Sequence, residues 1–178
     1  PVPVTAMHRH VDSSRFGAYR IENVHLHTSS EQRQEIVQFW LRERAIPTLP
    51  EAVRRAHEVC LLVRRDDGTG ALAGVSTVGR MRTRSGLIYW VFRMFLRKPD
   101  RVPRLSLAVA NATCAHLRLR ARREGDAAGM LIVTENVKLM RPGARMLFQR
   151  QGCRYVGRNA RGQDVWVVDF PAHATAAA

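Results

Sequence analysis

Residues 87–96 form the longest apolar run in this sequence, and only Arg93 interrupts it. In an extended chain its apolar side chains fall on both alternating faces, so the run is expected to be a central strand covered on both sides. It has about half of the ~20 residues a membrane span needs, which argues against a transmembrane segment. A charged side chain inside such a strand needs partners. For Arg93 these are a carboxylate, Glu135 or Asp164, or an anionic ligand.

The neighbouring segments say what covers that strand. After Pro99 and Pro103, residues Leu105, Ala108, Ala112, Ala115 and Leu119 recur at three- and four-residue steps, which predicts an amphipathic helix over 104–123. A short apolar strand is expected at 130–134, so 87–134 reads as a right-handed strand–helix–strand crossover. Ahead of it, residues 19–27 alternate as a strand. Thr28, Ser29 and Ser30, with Glu31 and Gln32 behind them, form a capping-box signal for a helix carrying Ile36, Phe39 and Trp40 and ending before Pro47. Pro50 suits the first turn of a short helix, 51–57. Strands are expected at 59–64 and 71–81 around the turn cluster 66–70. Pro142 opens a last helix that stops at Gly152, and strands 153–158 and 164–170 close the order.

The chain has 178 residues, 46% of them hydrophobic, which suits one globular domain. The expected layout is an N-terminal arm at 1–17, a domain at 18–171 and a loose tail at 172–178. Basic residues number 29 against 15 acidic, a net charge of +14, and only Lys98 and Lys138 are lysines. Such a balance favours anionic partners, although arginine richness beside abundant alanine and valine also follows from a GC-rich genome. Nucleic acid is not the expected partner, because there is no helix-turn-helix or zinc-finger spacing and aromatics do not interleave a basic stripe. The three cysteines, Cys60, Cys114 and Cys153, are odd in number and form no CxxC. With no apolar signal segment at the start, they point to a reducing, cytoplasmic setting.

This element order, and two local stretches, resemble the GNAT (GCN5-related N-acetyltransferase) superfamily over roughly residues 19–170. Leu96-Arg97-Lys98-Pro99-Asp100-Arg101 stands where that family's central strand gives way to its phosphate loop. Leu147-Phe148-Gln149-Arg150-Gln151-Gly152-Cys153 resembles the helix end and following strand near its C-terminus. The resemblance implies a mixed, mostly antiparallel sheet of six to seven strands flanked by about four helices. It also implies acetyl-CoA or another acyl-CoA as co-substrate, and a small-molecule or peptidic amine acceptor. The family's loop reads R-x-x-G-x-G/A and binds the coenzyme A diphosphate at a helix N-terminus. Here it is Arg101-Val102-Pro103-Arg104-Leu105-Ser106, in which Arg104 replaces the first glycine and Pro103 removes an N–H. Either arginine side chains take over phosphate contacts or coenzyme A binding is lost.

By this resemblance the cofactor-binding residues are Phe95, Leu96, Arg101, Arg104, Leu105, Ser106, Asn136 and Phe148. Phe148 stands where the family often places a tyrosine acid, and it cannot donate a proton. Glu135 is the candidate base, at the end of the strand that splays from the central one. His25 and His27 share one strand face, yet no companion ligand is visible in the sequence, so no metal is expected. An acyl-CoA-dependent N-acyltransferase is the leading reading, and a non-catalytic GNAT-like binding protein is the alternative. Monomer or homodimer stays open.

Overall fold

The computed structural model describes residues 13–171. Eight strands form one sheet: β1 (Ser13–Phe16), β2 (Tyr19–Asn23), β3 (Val59–Arg65), β4 (Leu72–Arg82), β5 (Ile88–Leu96), β6 (Gly129–Val133), β7 (Arg154–Arg158) and β8 (Asp164–Asp169). Four α-helices flank it: α1 (Ser30–Arg42), α2 (Leu49–Ala56), α3 (Leu105–Glu124) and α4 (Pro142–Arg150). The strand order is β1-β2-β3-β4-β5-β6-β8-β7, antiparallel everywhere except β5–β6. The expected crossover is therefore present, and the mixed α/β sheet matches the expectation apart from its strand count. The additional strand is β1, from residues expected to be an arm; it pairs with β2 through Phe16↔Tyr19 around Gly17. The rest of that arm, and the tail expected at 172–178, lie outside the described residues.

Local chemistry sets the helix ends. Ser29 Oγ accepts from the Gln32 N–H at 3.2 Å while Gln32 Oε1 accepts from the Ser29 N–H at 2.9 Å, closing the capping box. Pro50 lies in the first turn of α2, where its missing N–H leaves no helical bond unmade.

The sheet buries a core on each face. On one, α1 and α2 pack Ile36, Phe39 and Trp40 against Val59, Leu62 and Val75. On the other, α3 packs Leu105, Val109 and Leu117 against residues such as Trp90, Phe92 and Met130. β5 is thus covered on both sides, as its composition required. At about 25 cal/mol per Å² of apolar surface removed from water, these two layers are the main driving force for the fold. No helix among the described residues is long and apolar enough to cross a membrane.

Candidate active site

β5 and β6 pair only from Tyr89↔Gly129 to Phe92↔Ile132. β5 runs on to Leu96, still paired with β4 as far as Gly74↔Leu96, while β6 continues along β8 to Val133. Past Phe92 the two parallel strands therefore part, and residues 93–96 have no strand beside them on the β6 side. Gly74 holds the other edge tight. A Cβ there would lie 2.3 Å from Leu96 Cδ2 and 2.9 Å from the Phe95 carbonyl oxygen, so only glycine lets β4 come this close.

A cavity of about 130 Å³ opens beside this gap on the α1–α2 face. Trp40, Ile46 and Phe95 form apolar walls, and Thr77, Arg93 and Glu135 bring polar atoms. Arg93 Nε lies 3.8 Å from Glu135 Oε1, and the two side chains are 36% and 64% exposed. One of the two carboxylates expected to partner Arg93 is thus present, at the long end of ion-pair distance. A larger depression of about 300 Å³, between α1 and α2, is lined by residues such as Val37, Leu49 and Val53 and lies away from this gap.

Beyond Leu96 the chain makes one turn of 3-10 helix, Lys98–Asp100, and enters α3. Asp100 is fully buried and organises this loop. Its carboxylate accepts from Arg97 Nε at 2.6 Å, Arg65 Nε at 2.8 Å and the Tyr19 hydroxyl at 3.1 Å. Burial pushes the carboxyl up, but the arginine and tyrosine donors outweigh it and hold the group below the usual 3.8.

Arg104 caps α3 with φ 66° and ψ −7°, a left-handed conformation suited to glycine, and no side chain caps the helix. The first helical bond runs from the Ala108 N–H to the Arg104 carbonyl. The Ser106 and Leu107 amides in the first turn accordingly have no intrahelical acceptor. They present N–H groups and positive dipole next to the gap.

The structure brings some sequence-derived candidates together and sets others apart. Arg104 and Ser106 are exposed at the helix start. Arg101 folds back: its Nε donates to the Leu96 carbonyl at 3.0 Å and its guanidinium sits 5.9 Å from the Phe95 ring centre. Leu96 and Leu105 are core side chains, so only their backbones face the loop. Phe95 lines the cavity and packs edge-on to Phe39 at 5.7 Å. Asn136 spends its side chain on a turn, accepting from the Lys138 N–H at 3.0 Å. Phe148 stacks on Trp166 at 5.1 Å. Asp164 is buried and clamped by Arg145, whose Nε and Nη2 donate at 2.7 and 2.8 Å, so its carboxyl is held below the usual range. It partners Arg145 and not Arg93.

Two features escaped the sequence. One is the Asp100 clamp, whose partners lie up to 81 residues away. The other is the surroundings of His25. His116 Nε2 lies 2.9 Å from His25 Nδ1, and Cys60 stands beside both. The companions that the sequence did not reveal come from β3 and the middle of α3.

No protein-family model matches this sequence, and no curated protein matches it either. Solved structures do. The GNAT domain of S. lividans PAT superposes with a TM-score of 0.60 at 11% identity, covering 85% of this chain and 90% of its own. A ribosomal-protein-S5-alanine acetyltransferase from Vibrio fischeri gives 0.59 at 11%, covering 92% and 98%. A GNAT-family acetyltransferase from Streptococcus pneumoniae gives 0.56 at 12%, covering 85% and 99%. With a parallel pair that parts at mid-sheet, a helix starting beside the opening and these likenesses over nearly whole chains, this protein has the GNAT acyltransferase fold.

Proposed function

We propose that the chain transfers an acyl group from acyl-CoA, acetyl-CoA being the simplest donor, to an amine held in the cavity beside β5. The observation that carries this reading is the free end of β5 running through a short loop into the uncapped start of α3. That arrangement supplies both things a thioester donor needs. The Ser106 and Leu107 amides and the Arg104 guanidinium receive the diphosphate. A backbone N–H on the open edge of β5 donates to the thioester carbonyl, whose oxygen gains negative charge as the amine attacks.

The amine nitrogen adds to the carbonyl carbon, the C–S bond breaks, and the thiolate leaves to take a proton from water. Glu135, at the cavity wall, accepts the proton that the attacking nitrogen loses. Phe148 supplies no acid, and a thiolate is a tolerable leaving group without one. Support for a peptidic acceptor comes from the names of similar structures: one is named for alanine acetylation of ribosomal protein S5, and a NatC complex holds a Gag peptide and CoA. The free thiols of Cys60, Cys114 and Cys153 fit a reducing, cytoplasmic setting.

The test is turnover of acetyl-CoA by the full chain with a pool of amines and N-terminal peptides, read as free thiol. Glu135→Gln is expected to lower kcat by about 10²-fold or more with acyl-CoA affinity unchanged. A second reading, a non-catalytic acyl-CoA binder, is favoured by Phe148 being stacked on Trp166. Stabilisation by acyl-CoA with no turnover on any amine selects that reading.

A further inference from the structure

We propose that His25, Cys60 and His116 form a binding site for a thiophilic d10 metal ion, Zn²⁺ or Cu⁺, on the α3 side of the sheet. The site is separate from the acyl-transfer cavity, which lies on the α1–α2 face. Three segments converge on it: the turn after β2 brings His25, β3 brings Cys60 and the middle of α3 brings His116. One donor atom from each lies within 4.8 Å of the others. His25 and Cys60 are 6% and 0% exposed, and His25 packs edge-on to Trp90 at 5.4 Å.

The donor set selects the ion. Two imidazoles and a thiolate, with no carboxylate among them, suit borderline and soft cations and not Mg²⁺ or Ca²⁺. The nitrogen pair is close to the spacing of a filled site. Two Zn–N bonds of ~2.0–2.1 Å at a tetrahedral angle hold their nitrogens about 3.3 Å apart. His25 Nδ1 and His116 Nε2 are 2.9 Å apart, so admitting the ion takes a separation of a few tenths of an ångström. Cys60 is a free cysteine, and burial raises its thiol to about 12. A buried neutral thiol of this kind becomes a thiolate when a metal binds it.

The proton arrangement is readable from Asn23. Its Oδ1 accepts from the His25 backbone N–H at 3.1 Å, which turns Nδ2 toward His116 Nδ1 at 2.8 Å. The neutral tautomer that satisfies both contacts has His116 Nδ1 accepting and its Nε2–H donating to His25 Nδ1. When the ion enters, Cys60 releases its thiol proton to solvent and the His116 proton moves from Nε2 to Nδ1. The freed Nε2 lone pair, the His25 Nδ1 lone pair and the thiolate bind the ion. Asn23 then faces two donors, the His25 N–H and the His116 Nδ1–H, with one carbonyl oxygen. An aspartate at this position accepts from both, and a carboxylate behind a ligating histidine strengthens the ligand. The site therefore makes a directional prediction: Asn23→Asp binds metal more tightly than the unaltered protein.

The experiment uses the full chain with His8→Ala and His10→Ala, which removes the other closely spaced histidine pair. The protein is stripped with chelator and titrated with Zn²⁺ against a chromophoric competitor, with Cu⁺ under reducing conditions, and with Co²⁺ as a spectroscopic probe. The expected result is one equivalent bound, with a thiolate-to-cobalt charge-transfer band. Affinity falls by about tenfold or more in Cys60→Ser and in His116→Gln, is unchanged in Cys114→Ser, and rises by about tenfold in Asn23→Asp. The tighter of Zn²⁺ and Cu⁺ identifies the ion. Circular dichroism confirms that each variant is folded, and His116→Gln carries the test if Cys60→Ser does not fold. Absence of stoichiometric binding by all three ions, or binding that folded ligand variants leave unchanged, overturns the proposal.

Discussion

Arg104 holds φ at 66° with an ordinary side chain, a backbone conformation that raises the energy of an L-residue by about 1–2 kcal/mol. In the acyltransferase reading that strain persists because the guanidinium contacts the diphosphate. Arg104→Gly is then expected to act in opposite directions on two measurements. Thermal unfolding should rise by about 2–4 °C for each kcal/mol of strain relieved, while coenzyme A affinity should weaken, since a charge-assisted contact contributes roughly 1.5–3 kcal/mol. Differential scanning calorimetry and isothermal titration check the pair; a rise in both stability and affinity denies Arg104 a phosphate role. Arg101 separates from Arg104 at this scale. Its guanidinium bonds to the Leu96 carbonyl, so it shapes the strand end before it can reach a ligand.

The loop between β5 and α3 is positioned by Asp100, the one buried carboxylate to which Arg65, Arg97 and Tyr19 all donate. Asp100→Asn leaves two guanidinium groups without their counter-charge. The expected outcome is a thermal midpoint lowered by several degrees and a weakened coenzyme A response, measured on the same sample. Retained affinity with lowered stability would mean that the loop does not depend on this clamp. The elements themselves were largely legible in the sequence, and for local reasons. Ser29 and Gln32 close their capping box within four residues, and the apolar run of β5 announces burial on both faces. The site was legible only in part. Glu135 was one of two carboxylates open to Arg93, and the Asp100 clamp was not legible because two of its three donors, Tyr19 and Arg65, sit on β2 and β3. His116 carries no local signal in the sequence, since only the packing of α3 on the sheet brings it to His25 and Cys60. Ser13–Phe16 was missed as a strand because its pairing with β2, and not its polar composition, makes it one.

Across the whole molecule several arginines are held by buried carboxylates. Asp164 with Arg145, and Asp100 with Arg65 and Arg97, both sit below the ordinary aspartate value of 3.8. A carboxyl lowered in the folded state adds stability above its unfolded value, and that stability is lost as pH falls through the folded value. The unfolding midpoint is therefore expected to be level with respect to these groups down to about pH 4 and to drop below it. Asp164→Asn should flatten that acid limb; an unchanged limb would show that the Arg145 clamp adds nothing to acid stability. The most direct measurement of the central claim is isothermal titration of the full chain with coenzyme A. If the opening between β5 and β6 and the start of α3 cradle a diphosphate, one equivalent binds. Saturating ligand at a hundredfold excess over Kd then stabilises the protein by about 2.7 kcal/mol. No binding and no thermal shift at millimolar coenzyme A would contradict it, leaving the acyltransferase fold without its donor.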